Sequence, residues 1–263
     1  MDAEWIVTKL LKNGPMAKAG LLIVGLPGIG NVGKIAVDVL IEEWNAKKIC
    51  TFFSYSLPHS VFVNEKNLVE LPSIDLYHKK TDKQDIFLLA GDVQPIDERS
   101  CYSFCEKVLD LCKEYGIREI VTLGGIGLQT IPKKPRVFCT ATVKDLVQEY
   151  KKKSQVQESL YGLVGPIIGV SGLILGLAKQ RNMKAATLLV ETFGHPMYLG
   201  VKGSKEVLLV LRQRFKLKID MQRFDKEIAE LESELLKKTK EMGGIGKPTR
   251  KTGQMPEEQN YIG

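Results

Sequence analysis

GLPGIGNVGK, residues 25–34, carries two overlapping phosphate-binding spellings. Gly28, Gly30 and Gly33 form the G-x-G-x-x-G of a dinucleotide-binding turn, while Gly28 to Lys34 form most of the G-x-x-x-x-G-K of a P-loop. Either motif works only where a strand ends and a helix begins, because the helix N-terminus must point its free N–H groups at phosphate. That context is present. LLIVG (21–25) is an apolar run without alternation, as a strand covered on both faces requires. Beyond it, Val32, Ile35, Ala36, Val39 and Leu40 form one apolar stripe of a helix expected over 31–44. The stretch is therefore the strand–turn–helix start of an α/β fold.

Each nucleotide reading fails at the residue that would touch the ligand. A dinucleotide site needs an acidic residue at the end of the second strand to hold the ribose hydroxyls. That strand ends Phe53-Ser54-Tyr55-Ser56, without Asp or Glu. A P-loop needs Ser or Thr after its lysine to ligate magnesium, and here Lys34 is followed by Ile35. LLAGD (88–92) is the nearest source of a second magnesium ligand, but its Asp92 lies beyond a glycine. The remaining reading makes Gly25, Gly28, Gly30 and Gly33 structural: they let the helix begin close against the sheet and let another segment approach the backbone.

Further along, CTFFSYS (50–56), IFLLAG (86–91), EIVTLGG (119–125), RVFCTAT (136–142) and KAATLLVET (184–192) read as strands. VFVNEKNLVELPSIDLYHK alternates around an Asn-Glu-Lys-Asn turn and predicts a hairpin at a sheet edge. Residues 97–115 turn helical, with Asp97 as N-cap and Gly116 as stop. A further helix is expected at 205–215. Strands alternating with helices predict a three-layer α/β sandwich with a mostly parallel central sheet, its glycine-rich loops gathered at the carboxyl edge.

Bulk composition narrows the function classes. The chain of 263 residues is 44% hydrophobic and 26% charged, with a formal charge of +7 spread along it, which does not mark a nucleic-acid binder. Five cysteines and no secretory signal suit a reduced, cytoplasmic setting. Cys101, Cys105 and Cys112 share a helix face with Leu109, a spacing foreign to zinc sites, so no metal is expected and the thiols are read as small buried hydrophobes. The uncharged stretch 161–178, YGLVGPIIGVSGLILGLA, holds five glycines and Pro166. It reads as a loop entering a short buried helix at 170–180 rather than a membrane span. No catalytic motif is complete. Lys34, Asp92 and His195 are the candidates if the carboxyl-edge loops serve a nucleoside- or phosphate-handling enzyme.

The composition changes near residue 217. Leu217, Met221, Phe224, Ile228, Leu231 and Leu235 repeat at heptad spacing for under three repeats, too short for an independent coiled coil. They fit a helix packed on its own domain or on a sister subunit. We divide the chain into an α/β domain (1–218), an amphipathic helix (219–242) and a flexible tail (243–263). The tail has little to bury except Tyr261 and Ile262.

GLPGIGNVGKIAVDVLI, LLAGDVQP, VTLGGIG and YGLVGPIIGVSGLILGLA, in that order, resemble the proteasome assembly chaperone family, from about Leu21 to Phe215. The resemblance implies an α/β fold of phosphorylase-like outline, a structural glycine loop, no cofactor and no enzymatic activity. It also implies a homo-oligomer whose partner is the proteasome α subunits or another protein complex. Some archaeal members of that family dock on α rings through a C-terminal hydrophobic-Tyr-X tail. Here the chain ends Asn260-Tyr261-Ile262-Gly263, placing tyrosine third from the end behind a polar residue. Docking through Tyr261, Ile262 and Gly263 and an inert terminus both stay open at this point.

Overall fold

A computed structural model describes residues 5–11, 14–157, 160, 162, 165–222 and 224–226. The tail residues Tyr261, Ile262 and Gly263, and the seam residues Ile228, Leu231 and Leu235, lie outside these. In chain order the elements are β1 (Ile6–Lys9), β2 (Gly20–Gly25), a 3₁₀ turn (Ile29–Asn31), α1 (Val32–Trp44), β3 (Lys47–Phe53), β4 (Phe62–Val63), β5 (Val69–Glu70), β6 (Ile74–Lys80) and β7 (Asp85–Gly91). Then follow α2 (Glu98–Glu114), β8 (Ile117–Leu128), β9 (Val137–Ala141), α3 (Lys144–Lys153), α4 (Val170–Gln180), β10 (Lys184–Phe193) and α5 (Val201–Phe215).

Eight strands form one sheet in the order β1-β3-β6-β7-β2-β8-β10-β9. The central strands β7, β2, β8 and β10 are mutually parallel. β6 is antiparallel to β7 and β3 antiparallel to β6, so β3 rejoins the parallel set and five of the eight strands run the same way. β2 lies at the centre, and all six of its residues are buried. Alternate side chains feed opposite faces. Leu22 and Val24 join a core with Val108 and Leu109 of α2 and Ile174 and Leu177 of α4. Leu21 and Ile23 join another with Val37 and Leu40 of α1, Tyr150 of α3, and Val207, Leu208 and Leu211 of α5. Two helix layers over one sheet make the three-layer α/β sandwich that the alternation implied, each fully buried aliphatic side chain contributing about 1.5–3 kcal/mol.

Several boundaries follow the sequence signals. Asp97 caps α2 through its Oδ1, which accepts the Ser100 N–H at 2.9 Å, and Gly116 follows the helix with φ +70°. α4 spans the end of the uncharged stretch, and Cys101, Cys105, Cys112 and Leu109 all enter the core. All five cysteines are free and buried, with the Cys139 thiol pushed up to about 12 by burial. Among the described residues no helix is long and apolar enough to cross a membrane.

Other expectations need correction. Residues 61–79 do not form one edge hairpin. β4 and β5 make a small separate hairpin, while β6 enters the main sheet between β3 and β7, because Ile74 and Leu76 carry the strand into the core. β8 continues to Leu128, so Gly124 and Gly125 lie inside a strand rather than in a loop. β1 and α3 were not anticipated; both are short and mostly exposed or polar. Residues 217–220 are not helical. Leu217 and Met221 pack against the body and Phe224 is buried in the α1/α5 core, so this part of the seam rests on its own domain.

Candidate functional site

The carboxyl ends of β2, β7, β8 and β10 converge on the glycine turn. Gly25 ends β2, and a Cβ there would strike the Gly33 carbonyl oxygen and the Val37 side chain. A Cβ on Gly33 would come 2.6 Å from the Leu123 carbonyl oxygen of β8. These two glycines let the first turn of α1 press directly on the sheet. Gly30, at φ +65°, occupies the left-handed region, and a Cβ on it would sit 2.6 Å from Thr192 Oγ1 of β10. Gly28 is extended at φ −168°, a conformation open to any residue.

The turn is occupied by protein on several sides. The Gly200 N–H donates to the Gly30 carbonyl at 2.7 Å, and Gln94 Nε2 donates to the Pro27 carbonyl at 2.9 Å. The Asn31 N–H donates back to the Gly28 carbonyl at 2.9 Å. A Cβ on Gly125 would strike the Ile29 carbonyl, so β8 lies against the turn. Thr192 Oγ1 is buried beneath it with no hydrogen-bond partner among the described residues. The loop that pyrophosphate would have to enter is thus a packed joint between β2, β8, β10 and α5.

Lys34 and Asp92 do meet. Lys34 Nζ lies 2.9 Å from Asp92 Oδ1 and 2.8 Å from Asp38 Oδ2, one helical turn on. Burial pulls the Lys34 ammonium down, but the hydrogen bonds and charges of Asp38 and Asp92 outweigh it and leave its pKa raised. Burial also raises the Asp38 carboxyl against the pull of Lys34. The one P-loop-like cation is thereby neutralised twice over within its own fold. The pairing of Asp92 with Lys34 has no local sequence signal, because it forms only once α1 packs against β7 in the finished sheet.

His195 lies elsewhere on the same edge. It follows β10, stacks on Phe193 with ring centroids 5.7 Å apart, and accepts the Met197 N–H at Nδ1 (3.2 Å). With Gln94, Tyr198 and residues 28–31 it lines a shallow cleft of about 370 Å³. Neither Lys34 nor Asp92 lines that cleft, so the three candidate enzyme residues do not form one constellation. No group of three or more metal-ligating side chains occurs among the described residues.

Sequence reasoning missed the polar clamp at the other side of this edge. Glu191, buried near the end of β10, accepts Arg136 Nε at 2.9 Å and the Arg136 backbone N–H at 3.0 Å. Burial raises the Glu191 carboxyl, and the Arg136 contacts more than offset it, leaving its pKa lowered. The clamp ties the segment before β9 to β10. An isolated Arg and an isolated Glu, 55 residues apart, gave no local signal of it.

Fold and site together define an α/β sheet protein whose glycine turn is a packing joint. The PAC2 family profile matches residues 22–239, and the chain belongs to this family. The crystal structure of Pyrococcus furiosus PbaB, an archaeal proteasome activator, superposes with a TM-score of 0.82 at 32% identity, covering 91% of this chain and 100% of that one. P. furiosus PbaA, an archaeal homolog of proteasome-assembly chaperone, shares the fold with a TM-score of 0.73 at 22% identity, over 90% and 93% of the two chains. An uncharacterized protein of Methanocaldococcus jannaschii is 27% identical over 259 residues, 98% of each chain.

Proposed function

We propose that this protein is a non-enzymatic, homo-oligomeric chaperone or scaffold that binds proteasome α subunits or a comparable protein complex in the cytoplasm. The observation that carries the reading is the similarity to PbaB, described as an archaeal proteasome activator, over 91% of this chain and 100% of that one. The packed glycine turn supports it, since Gly25, Gly30 and Gly33 are used up in joining α1 to the sheet. So does the double neutralisation of Lys34.

The contact with α subunits is assigned to Tyr261, Ile262 and Gly263. An aromatic and an aliphatic side chain side by side, in a segment otherwise poor in apolar residues, suit an apolar pocket on a partner. Removing Asn260 to Gly263 is expected to weaken co-elution with α subunits without changing the mass of the oligomer. Unchanged co-elution would remove the tail from the contact. Purifying the native complex and identifying its co-eluting proteins by mass spectrometry tests the client itself.

A further inference from the structure

The β4–β5 hairpin stands apart from the main sheet and exposes apolar side chains on both of its faces. Phe62 pairs with Glu70 and Val63 with Val69. Because directly opposed residues share a face and alternate residues oppose it, Val61, Val63, Val69 and Leu71 lie together. Their exposures are 55%, 63%, 71% and 62%. Phe62 and Leu68, 40% and 60% exposed, occupy the reverse face.

An isolated two-stranded hairpin is at best marginal in water. This one has a well-built turn: Asn64 Oδ1 accepts the Lys66 and Leu68 N–H groups, both at 3.0 Å, and Asn64 Nδ2 donates to Glu70 at 2.7 Å. The turn sets the register but leaves the aliphatic face wet. At those exposures the four residues offer roughly 400 Å², comparable to the largest apolar patch of an ordinary monomer, which is often a functional surface.

A stable interface needs about 800 Å² per partner, so the hairpin alone falls short. The same end of the molecule holds a second apolar surface. The hairpin leaves from the carboxyl end of β3 and returns into β6. The segments leading into α2 and α4, also at the carboxyl edge, enclose a groove of about 690 Å³ lined by Pro95, Ile96, Tyr102, Ile167, Ile168 and Leu173. Ile96, Tyr102 and Ile168 are 69%, 53% and 47% exposed. In a two-fold pair each copy contributes both its arm and its groove, and the four hairpin residues with Ile96, Tyr102 and Ile168 offer roughly 700–800 Å² per copy, close to what association requires.

We propose that the β4–β5 hairpin is a self-association arm, seated in the groove between the α2 and α4 N-termini of a second copy of this chain. The proposal rests on the homo-oligomeric reading above. It is tested by light scattering on size-exclusion fractions of the full chain, the V63K/V69K variant and the I96K/I168K groove variant, with melting curves alongside. The full chain is expected at oligomer mass and both variants at monomer mass. V63K/V69K is expected to melt as a folded protein, because neither residue belongs to a core cluster. The milder V69S is expected to raise the concentration at which the oligomer dissociates.

Oligomer mass retained by either lysine variant overturns the proposal while leaving the homo-oligomeric reading intact. A full chain that is itself monomeric overturns both. Retained mass with lost capture of α subunits also overturns it and gives the hairpin to the client.

Discussion

Alanine at Gly25 would drive a methyl group into the Gly33 carbonyl oxygen and the Val37 side chain. Backbone cannot rotate aside as a side chain can, so α1 would have to lift from β2. Gly25→Ala is expected to cost about 2–4 kcal/mol and to lower the melting temperature by roughly 5–15 °C. A Tm within a degree of the parent would contradict the close approach. The failures of both nucleotide motifs were legible at this scale, since Ile35 and the acid-free Phe53–Ser56 stand in the sequence. What replaced those motifs was not: the contact of Gly30 with Thr192 and the ion pair of Lys34 with Asp92 join distant segments across the sheet, and no local pattern encodes them.

Elements were legible where local chemistry closes on itself. α2 is the clearest case, with an N-cap aspartate, an apolar stripe and a terminal glycine all within one segment. The Ser100 backbone N–H, and after it the Ser100 hydroxyl, holds the Asp97 carboxyl below its usual pKa. A depressed carboxyl stabilises the fold fully above its unfolded pKa of about 4, and that contribution fades as pH falls through the lower folded value. Asp97→Ala is therefore expected to reduce the urea midpoint at pH 7, with the gap from the parent closing towards pH 3. An equal gap at both pH values would deny the carboxylate its capping role. β6 was misplaced for the opposite reason. Its alternation resembles an edge strand, yet its partners β3 and β7 arrive from both sides, one before it in sequence and one after.

The α/β sandwich could be inferred because strand–helix alternation extends over most of the chain, and right-handed crossovers leave few ways to bury both faces of such a sheet. The site could be inferred only as an edge, since which loops touch there depends on a strand order that sequence does not print. A thermal-shift screen with nucleotides, nucleosides and phosphate is expected to leave the melting temperature unchanged, because only a ligand preferring the folded state raises it. A clear rise with any of them would favour the enzyme reading built on Lys34, Asp92 and His195.

The strand order also sets a timetable. β9 has β10 as its strand neighbour, and β10 lies beyond α3, the uncharged stretch and α4. At about 5–20 residues per second of synthesis, Val137–Ala141 emerges from the ribosome seconds before the strand it pairs with. During that interval Phe138 and Cys139, both buried in the finished protein, have no strand to cover them. The wait is longer still at the centre of the sheet, where Gly20–Gly25 emerges before either of its strand neighbours, β7 and β8, has been made, so the interval in which buried strand residues stand uncovered opens early in translation, at β2.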